Sequence, residues 1–345
     1  MLIIDGSQGE GGGQILRTAL ALSLVTGQPF RLENIRPRRQ KPGLLAQHLT
    51  AVRAAAAIGG AEVDGGALGS RRLEFRPGLV RPGDYEFAIG TAGSTTLVLQ
   101  AVLPPLLVAK GSSRLTLTGG THNPTAPPFE YLSEVFIPLV NRLGPRVTLS
   151  LERPGFYPAG GGRFTAEIEP AAAWRPLQLH KSDGPARVSA KALVARLPTH
   201  IAQRELTVAA KELSIPPDRL TIEEITNSLG PGNALLIRID RAIDARHDAT
   251  EIFTGFGRRG VRAEDLAMAA VAEVKAFLDA GLPVGPHLAD QLLLPLALAG
   301  GGSFDTVELT THTTTNIEVI QRFLHVEVRT AGTRVEVIAG KRPAP

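Results

Sequence analysis

Apolar residues recur along this chain at two spacings, and the order in which the spacings alternate predicts its architecture. Leu2–Ile4 reads as a short strand, a glycine-rich loop follows, and Gln14–Thr26 carries apolar residues at helical spacing. Phe30–Ile35 reads as a strand, Leu44–Ile58 as a second helix, and Glu62-Val63 with Arg72–Phe75 as a pair of strands. The order is βαβαββ. It returns as strand Asp84–Ile89, a helix running to Val108, strand Arg114–Thr118, helix Phe129–Leu143, and strands Arg146–Glu152 and Arg163–Ile168. It returns a third time as helix His287–Leu298, strand Phe304–Leu309, helix Ile317–Leu324, and strands His325–Arg329 and Arg334–Ile338, with no clear first strand. Three units of roughly 55 to 85 residues would each cover one sheet face with helices and pack helix on helix about a pseudo-threefold core, an α+β fold.

The segment from about Lys181 to Pro283 breaks this order. It reads as strand Ala186–Ala195, helix Thr199–Leu213, strands Leu220–Thr226, Asn233–Ile239 and Glu251–Phe256, and helix Ala263–Ala280. That is a small α/β domain over 181–283 inserted into a body built from 1–180 and 284–345. Its entrance, Ser182-Asp183-Gly184-Pro185, is turn-rich, as a boundary should be. Lys181-Ser182-Asp183-Gly184 also matches the K-x-D-G element in which some ligases carry a nucleotide on lysine. The pattern is permissive and no K-x-K element follows late in the chain, so it reads as a linker.

Composition narrows the chemistry. With 345 residues and 43% hydrophobic content the chain is long enough for more than one core. No charged-then-apolar leader and no apolar run of about eighteen residues is present, so the expected location is cytoplasmic. Zero cysteines exclude disulfides, thiol catalysis and cysteine-ligated zinc. A net charge of +4 is mild, but Arg36-Pro37-Arg38-Arg39-Gln40-Lys41 is a dense cluster, either a solvated loop or a seat for phosphates. Three Tyr and one Trp are too few for an aromatic stacking platform, so nucleic-acid contact would go mostly to phosphate and sugar.

Several loops are candidate sites. Asp5-Gly6-Ser7-Gln8-Gly9-Glu10-Gly11-Gly12-Gly13 joins a strand to a helix and could admit an anion, although a tight turn explains it equally well. The Walker pattern is absent, and Gln14 stands where the dinucleotide pattern needs its third glycine. Glu10 and Arg17 near that helix start could serve a metal and a phosphate. Thr310-Thr311-His312-Thr313-Thr314-Thr315-Asn316 sets one imidazole among hydroxyls at a strand-to-helix corner, where a neutral ring could capture a phosphoryl group or simply be hydrogen-bonded. His122, in Gly119-Gly120-Thr121-His122-Asn123-Pro124, holds the equivalent corner of the second unit with nothing to favour a catalytic over a structural role. Pro154–Gly162 is a rigid turn with an apolar wedge, either an adenine wall or a hairpin. Asp290 and Gln291, early in their helix, could stabilise its dipole or face a metal or ribose.

Taken together, the stretches Asp5-Gly6 to Arg17, Arg36–Leu45, Gln47–Val52, Gly90–Gln100, Gly119–Pro128, Gly155–Gly162, His287–Gln291 and His312–Phe323 resemble the RNA 3′-terminal phosphate cyclase family along nearly the whole chain. The resemblance implies repeats like the C-terminal domain of translation initiation factor 3, related in layout to the enolpyruvyl transferases, and an insertion resembling thioredoxin's layout. It implies that His312 is adenylated by ATP and that Gln100 and His287, Leu288, Ala289, Asp290 and Gln291 belong to the nucleotide site. Glu10, Arg17, Arg36 and Arg39 match active-site polar positions, with Gln47 and Arg38 as further substrate-phosphate or polar positions and Glu10 as the metal candidate. Threonines surround the histidine where family members have small or apolar residues, while the core His312, Thr315 and Asn316 is kept.

The implied chemistry is that of the ligase class. ATP, with a divalent cation such as Mg or Mn, adenylates His312; the AMP passes to an RNA 3′-phosphate; the adjacent 2′-hydroxyl closes a 2′,3′-cyclic phosphate. DNA 3′-phosphate ends are further expected acceptors, and no general base for the last step stands out. Two alternatives remain: a non-catalytic cyclase-like factor of ribosome assembly, and an enzyme of the enolpyruvyl transferase type.

Overall fold

The computed structural model describes residues 1–181, 184–244 and 247–340. The first sheet and its helices are β1 (Leu2–Asp5), α1 (Gln14–Thr26), β2 (Phe30–Glu33), α2 (Ala46–Gly59), β3 (Glu62–Asp64) and β4 (Leu73–Arg76), with strand order β1-β2-β4-β3. β1 and β2 are parallel and the other pairs antiparallel. The second set is β5 (Asp84–Ala88), α3 (Thr95–Leu107), β6 (Ser113–Gly119), a π-helical turn over Tyr131–Phe136 leading into α4 (Ile137–Arg142), β7 (Arg146–Arg153) and β8 (Gly162–Glu169), in order β5-β6-β8-β7. The continuous helix expected over Phe129–Leu143 is therefore interrupted. Pro138 has no N–H to give the ladder, and the wider π turn before it takes up the register change.

β9 (Leu177–Leu179) is followed by the inserted segment: β10 (Ala186–Ala195), α5 (His200–Leu213), β11 (Leu220–Ile225), β12 (Gly232–Asp244), β13 (His247–Phe256) and α6 (Ala263–Ala280). Its sheet runs β11-β10-β12-β13, with β13 on the edge. Glu264 and Asp265 in the first turn of α6 suit the helix dipole, and Gly281 ends it in the left-handed conformation, which is why its limits were legible in the sequence. Then come α7 (Pro286–Leu298), β14 (Gly301–Asp305), α8 (Thr311–Phe323), β15 (Val326–Ala331) and β16 (Arg334–Ala339). This sheet runs β9-β14-β16-β15, so β9 is the first strand that no sequence pattern marked, and all three sheets of the body share one order of first, second, fourth, third.

One apolar core joins the three body sheets, with Phe30, Phe75, Phe164 and Phe304 fully enclosed in it, each contributing about 1.5–3 kcal/mol by leaving water. A second core of residues such as Ala192, Leu206, Leu235 and Val274 lies wholly within the inserted segment. That segment is nonetheless docked, because Leu193, Ile225, Leu236 and Ile252 pack into the larger core. Its two connections are pinned as well: the Lys181 N–H donates to Asp305 Oδ2 (2.9 Å), and Thr306 Oγ1 donates to the Val284 carbonyl (2.9 Å). In the K-x-D-G stretch, Ser182 and Asp183 lie outside the described residues. Among the described residues no helix is long and apolar enough to cross a membrane.

The largest departure from expectation is at the histidine corner. The strand expected over Phe304–Leu309 ends at Asp305, and the helix expected from Ile317 begins at Thr311. Threonine is a weak helix former, but Thr310 accepts a hydrogen bond from the Thr313 N–H (3.2 Å) as the N-cap, and Thr315 satisfies its hydroxyl on the Thr311 carbonyl (2.6 Å). Capping and local back-bonding outweigh propensity here, and they place His312 in the first turn of α8 rather than in a loop.

Candidate active site

The strand-to-helix connections of the three body sheets open onto one cavity of about 740 Å³. Gly13 and Gln14 at the start of α1, Leu45 and Ala46 at α2, Gly93 before α3, Pro286 at α7 and His312 at α8 all line it. Residues at five helix N-termini thus line a common space, an arrangement whose positive dipole ends favour anions. Gly13, the uncapped N-cap of α1, has no room for a side chain, since a Cβ would come within 2.5 Å of His48 Nε2 and 3.1 Å of Arg17 Nη1.

His312 lines this cavity and is half-exposed. Its Nδ1 lies 3.0 Å from Gln14 Oε1. The amide nitrogen of the same Gln14 donates to Asp290 Oδ1. A carboxylate accepts but cannot donate, so Asp290 dictates which way the Gln14 amide faces, and Gln14 in turn holds the ring proton on His312 Nδ1. The lone pair is left on Nε2, which faces the cavity 3.9 Å from Glu10 Oε1. Burial, with Arg17 and Arg39 nearby, holds the imidazole below its ordinary value against the pull of Asp290, so the ring is neutral at pH 7.

The surrounding chain fixes this geometry. Asn316 accepts from Thr18 Oγ1 (2.8 Å) and donates to the Asp290 carbonyl (3.0 Å), joining α1, α7 and α8 behind the ring. The Glu10 N–H donates to Thr315 Oγ1 (3.1 Å), pinning the glycine loop to α8. Glu10 forms an ion pair with Arg39. Arg17 is pushed by burial down to about 10, opposed by Asp290, and so keeps its charge at neutral pH. Burial also pulls Arg36 down; it adopts a left-handed backbone with φ 52° and spends Nη1 on the carbonyls of Lys41 (2.9 Å) and Gly43 (2.7 Å). Asp290 itself is raised by burial, with His312 and its hydrogen bonds opposing.

The structure brings together Glu10, Arg17, Arg36, Arg39, Gln47, Gln100, His287, Asp290, Gln291 and His312 on one cavity surface. Gln47 accepts from the Ser94 N–H (2.9 Å), and Gln100 donates to Gln291 Oε1 (2.7 Å). Burial holds His287 below the ordinary imidazole value, opposed by Glu273. Leu288 and Ala289 face the core instead of the cavity. Arg38 turns away, donating to the carbonyls of Ser7 and Gly9, the latter at 3.4 Å. His122 is enclosed, with both ring nitrogens engaged, and does not reach the cavity, though Pro124–Pro128 just after it do. Lys181 is exposed and not part of the lining.

Sequence reasoning missed the role of Gln14, and it missed His48 and Glu251. His48 Nδ1 accepts from the Leu45 N–H (3.1 Å), which leaves its proton on Nε2. Burial, then Arg36 and Arg17, push it down to about 3, so it is a fixed neutral donor beside two guanidiniums. Its adjacency to Gln47 was the only available signal. Among the described residues no group of three or more His, Cys, Asp or Glu could hold a metal ion, so the metal candidate Glu10 would need oxygens from a bound phosphate to complete a coordination shell.

The profile described as RNA 3′-terminal phosphate cyclase matches residues 8–330. A protein of Koribacter versatilis (strain Ellin345) named RNA 3′-terminal phosphate cyclase is 54% identical over 326 residues, covering 94% of this chain and 90% of that one. Proteins of the same name from Ectopseudomonas mendocina (strain ymp) and Salmonella agona (strain SL483) are 51% and 47% identical; the alignments cover 94% and 99% of this chain and 93% and 98% of theirs.

Proposed function

The chain belongs to the RNA 3′-terminal phosphate cyclase family, and from that premise we propose that it converts an RNA 3′-phosphate into a 2′,3′-cyclic phosphate at the expense of ATP, through an adenylated His312. The observation that carries this reading is the Asp290–Gln14–His312 relay, which leaves one imidazole lone pair facing an anion-seeking cavity.

In the first step His312 Nε2 attacks the α-phosphorus of ATP; a P–N bond forms, the P–O bond to pyrophosphate breaks, and pyrophosphate leaves. The positive charge that develops on the ring is met by the Gln14 carbonyl and, behind it, by Asp290. Arg17, His48 Nε2–H and the start of α1 face the phosphate oxygens. Glu10 would hold a divalent cation together with nucleotide oxygens, and that cation supplies charge neutralisation for the phosphates. In the second step an oxygen of the RNA 3′-phosphate displaces the imidazole and takes the AMP; two anions meet, and Arg36 and Arg39 offset their repulsion. In the third step the neighbouring 2′-hydroxyl attacks the 3′-phosphorus, its proton leaves, and AMP is expelled. The hydroxyl is tethered beside its target, so effective concentrations of about 10⁵ M or more require only an oriented sugar.

The Gln100–Gln291 pair and His287 are assigned to the nucleotide, with Pro124–Pro128 as the opposite wall. The same reading takes the body, 1–180 with 284–345, as three repeated units about a pseudo-threefold core and 181–283 as a thioredoxin-like insertion; the common strand order of the three sheets supports it. An enzyme consuming ATP on RNA ends, without cysteines, belongs in the cytoplasm. The test is to incubate the protein with ATP, a divalent cation and RNA bearing a 3′-phosphate. The expected product is a phosphatase-resistant cyclic end with one AMP and one pyrophosphate released per end. An RNA ending in a 2′-deoxyribose 3′-phosphate should stop at the adenylated end, and RNA left fully phosphatase-sensitive would refute the proposal.

A further inference from the structure

The insertion's edge strand β13 forms one wall of the cavity, through Glu251, Ile252, Thr254 and Phe256. Glu251 is only 3% exposed, although it belongs to a segment with a core of its own. Its Oε2 accepts from the N–H of Gly285 at 2.8 Å. Gly285 is the N-cap of α7, and a Cβ there would lie 2.4 Å from that oxygen, so the carboxyl is seated against backbone that only glycine can offer. The buried Tyr131 hydroxyl, which has no well-formed hydrogen bond among the described residues, lies beside the same carboxyl. Burial raises Glu251 to about 7, opposed by the Gly285 and Tyr131 contacts. Both of its protonation states are therefore present near neutrality, and both can accept from Gly285. One residue of the insertion thus grips the start of the helix that carries His287, Asp290 and Gln291, and braces it against the π turn of the second unit.

We infer that Glu251 is a positioning residue through which the inserted segment sets the N-terminus of α7, so that nucleotide capture at the cavity depends on the insertion being docked. The inference rests on reading the cavity as the ATP site. The insertion is then part of the nucleotide site's construction, acting through hydrogen-bond geometry rather than charge.

Two measurements on the full-length protein test it. The first is the ATP concentration giving half-maximal protein labelling from α-labelled ATP. Glu251→Ala should raise it about tenfold or more, with the maximal labelling rate changed far less, because a buried N–H is left unpaired. Gly285→Ala should act in the same direction by forcing the carboxyl away. Glu251→Gln, whose amide oxygen still accepts from Gly285, should recover most of the loss. Wild-type behaviour of Glu251→Ala, or equal impairment of the Ala and Gln variants, would overturn the inference. The second needs no nucleotide: amide hydrogen exchange over 285–291 should quicken in Glu251→Ala and Gly285→Ala but not in Glu251→Gln, and unchanged exchange in both of the former would overturn it. If the wild type takes no label, the proposed function fails, while the exchange result still decides whether Glu251 positions α7.

Discussion

Two histidines occupy matching corners of the second and third sheets, and they have opposite fates. His122, after β6, is 1% exposed; Nδ1 meets Thr121 Oγ1 at 2.8 Å, Nε2 meets Glu130 Oε2 at 2.8 Å, and the ring stacks on Phe156 with centroids 4.8 Å apart. His312, after β14, has one nitrogen held by Gln14 and the other turned to the cavity. An imidazole with both nitrogens satisfied and both faces covered is a strut. One with a single nitrogen satisfied keeps a lone pair free, as the proposed adenylation requires. The residue type and the position after the second strand of the sheet are common to both, so the difference lies in burial and in the second partner.

Substitutions should separate the two roles. The largest effect is expected from His312→Ala, which should lower protein labelling by α-labelled ATP by about 10³-fold or more, since the proposed attacking atom is gone. His122→Ala should keep labelling within about tenfold but cost roughly 2–4 kcal/mol in urea unfolding, because Glu130 is left buried without its partner. Loss of labelling in a folded His122→Ala protein would break the contrast. Next comes Gln14→Leu, which removes the acceptor that fixes the ring proton; labelling should fall about 10- to 100-fold, with roughly 1–3 kcal/mol lost in urea unfolding because buried Asp290 loses a donor.

Acid should act on the two histidine sites through different groups. Because His312 is held below the ordinary 6.5, its labelling rate at saturating ATP should be flat through neutrality and fall only as the pH drops through that lowered value and the lone pair is protonated. A rate that rises on acidification would contradict a neutral nucleophile. At the other corner burial opposes the ionised Glu130, but His122 beside it wins and holds the carboxyl below its usual 4.5. Its stabilising contribution is therefore complete above 4.5 and lost as the pH falls through the lower folded value, a dependence that Glu130→Gln should remove from urea unfolding curves. The smallest effect is expected from Lys181→Ala, which should leave labelling unchanged.

Periodicity marked α1, α6 and most strands to within a residue or two, because their limits coincide with glycines, acidic first turns and alternating apolar residues. It failed where one local signal was overridden by another: four threonines masked the start of α8, and Pro138 broke a helix whose apolar spacing is continuous. β9 is three residues long and becomes a strand only by pairing with β14, a partner more than a hundred positions away. The site was legible as residue types but not as contacts. Nothing in the chain says that Gln14 lies between Asp290 and His312, or that Glu251 reaches Gly285, because such contacts exist only once the helix N-termini converge.

Whether the His312 imidazole captures AMP before any RNA arrives is decided by mapping the adduct. The protein is incubated with ATP and a divalent cation without RNA, then digested under mildly alkaline conditions and analysed by peptide mass spectrometry. One AMP should be found on the peptide containing His312, labile to acid and absent from His312→Ala. An AMP carried on a lysine, or on any peptide of His312→Ala, would contradict the account.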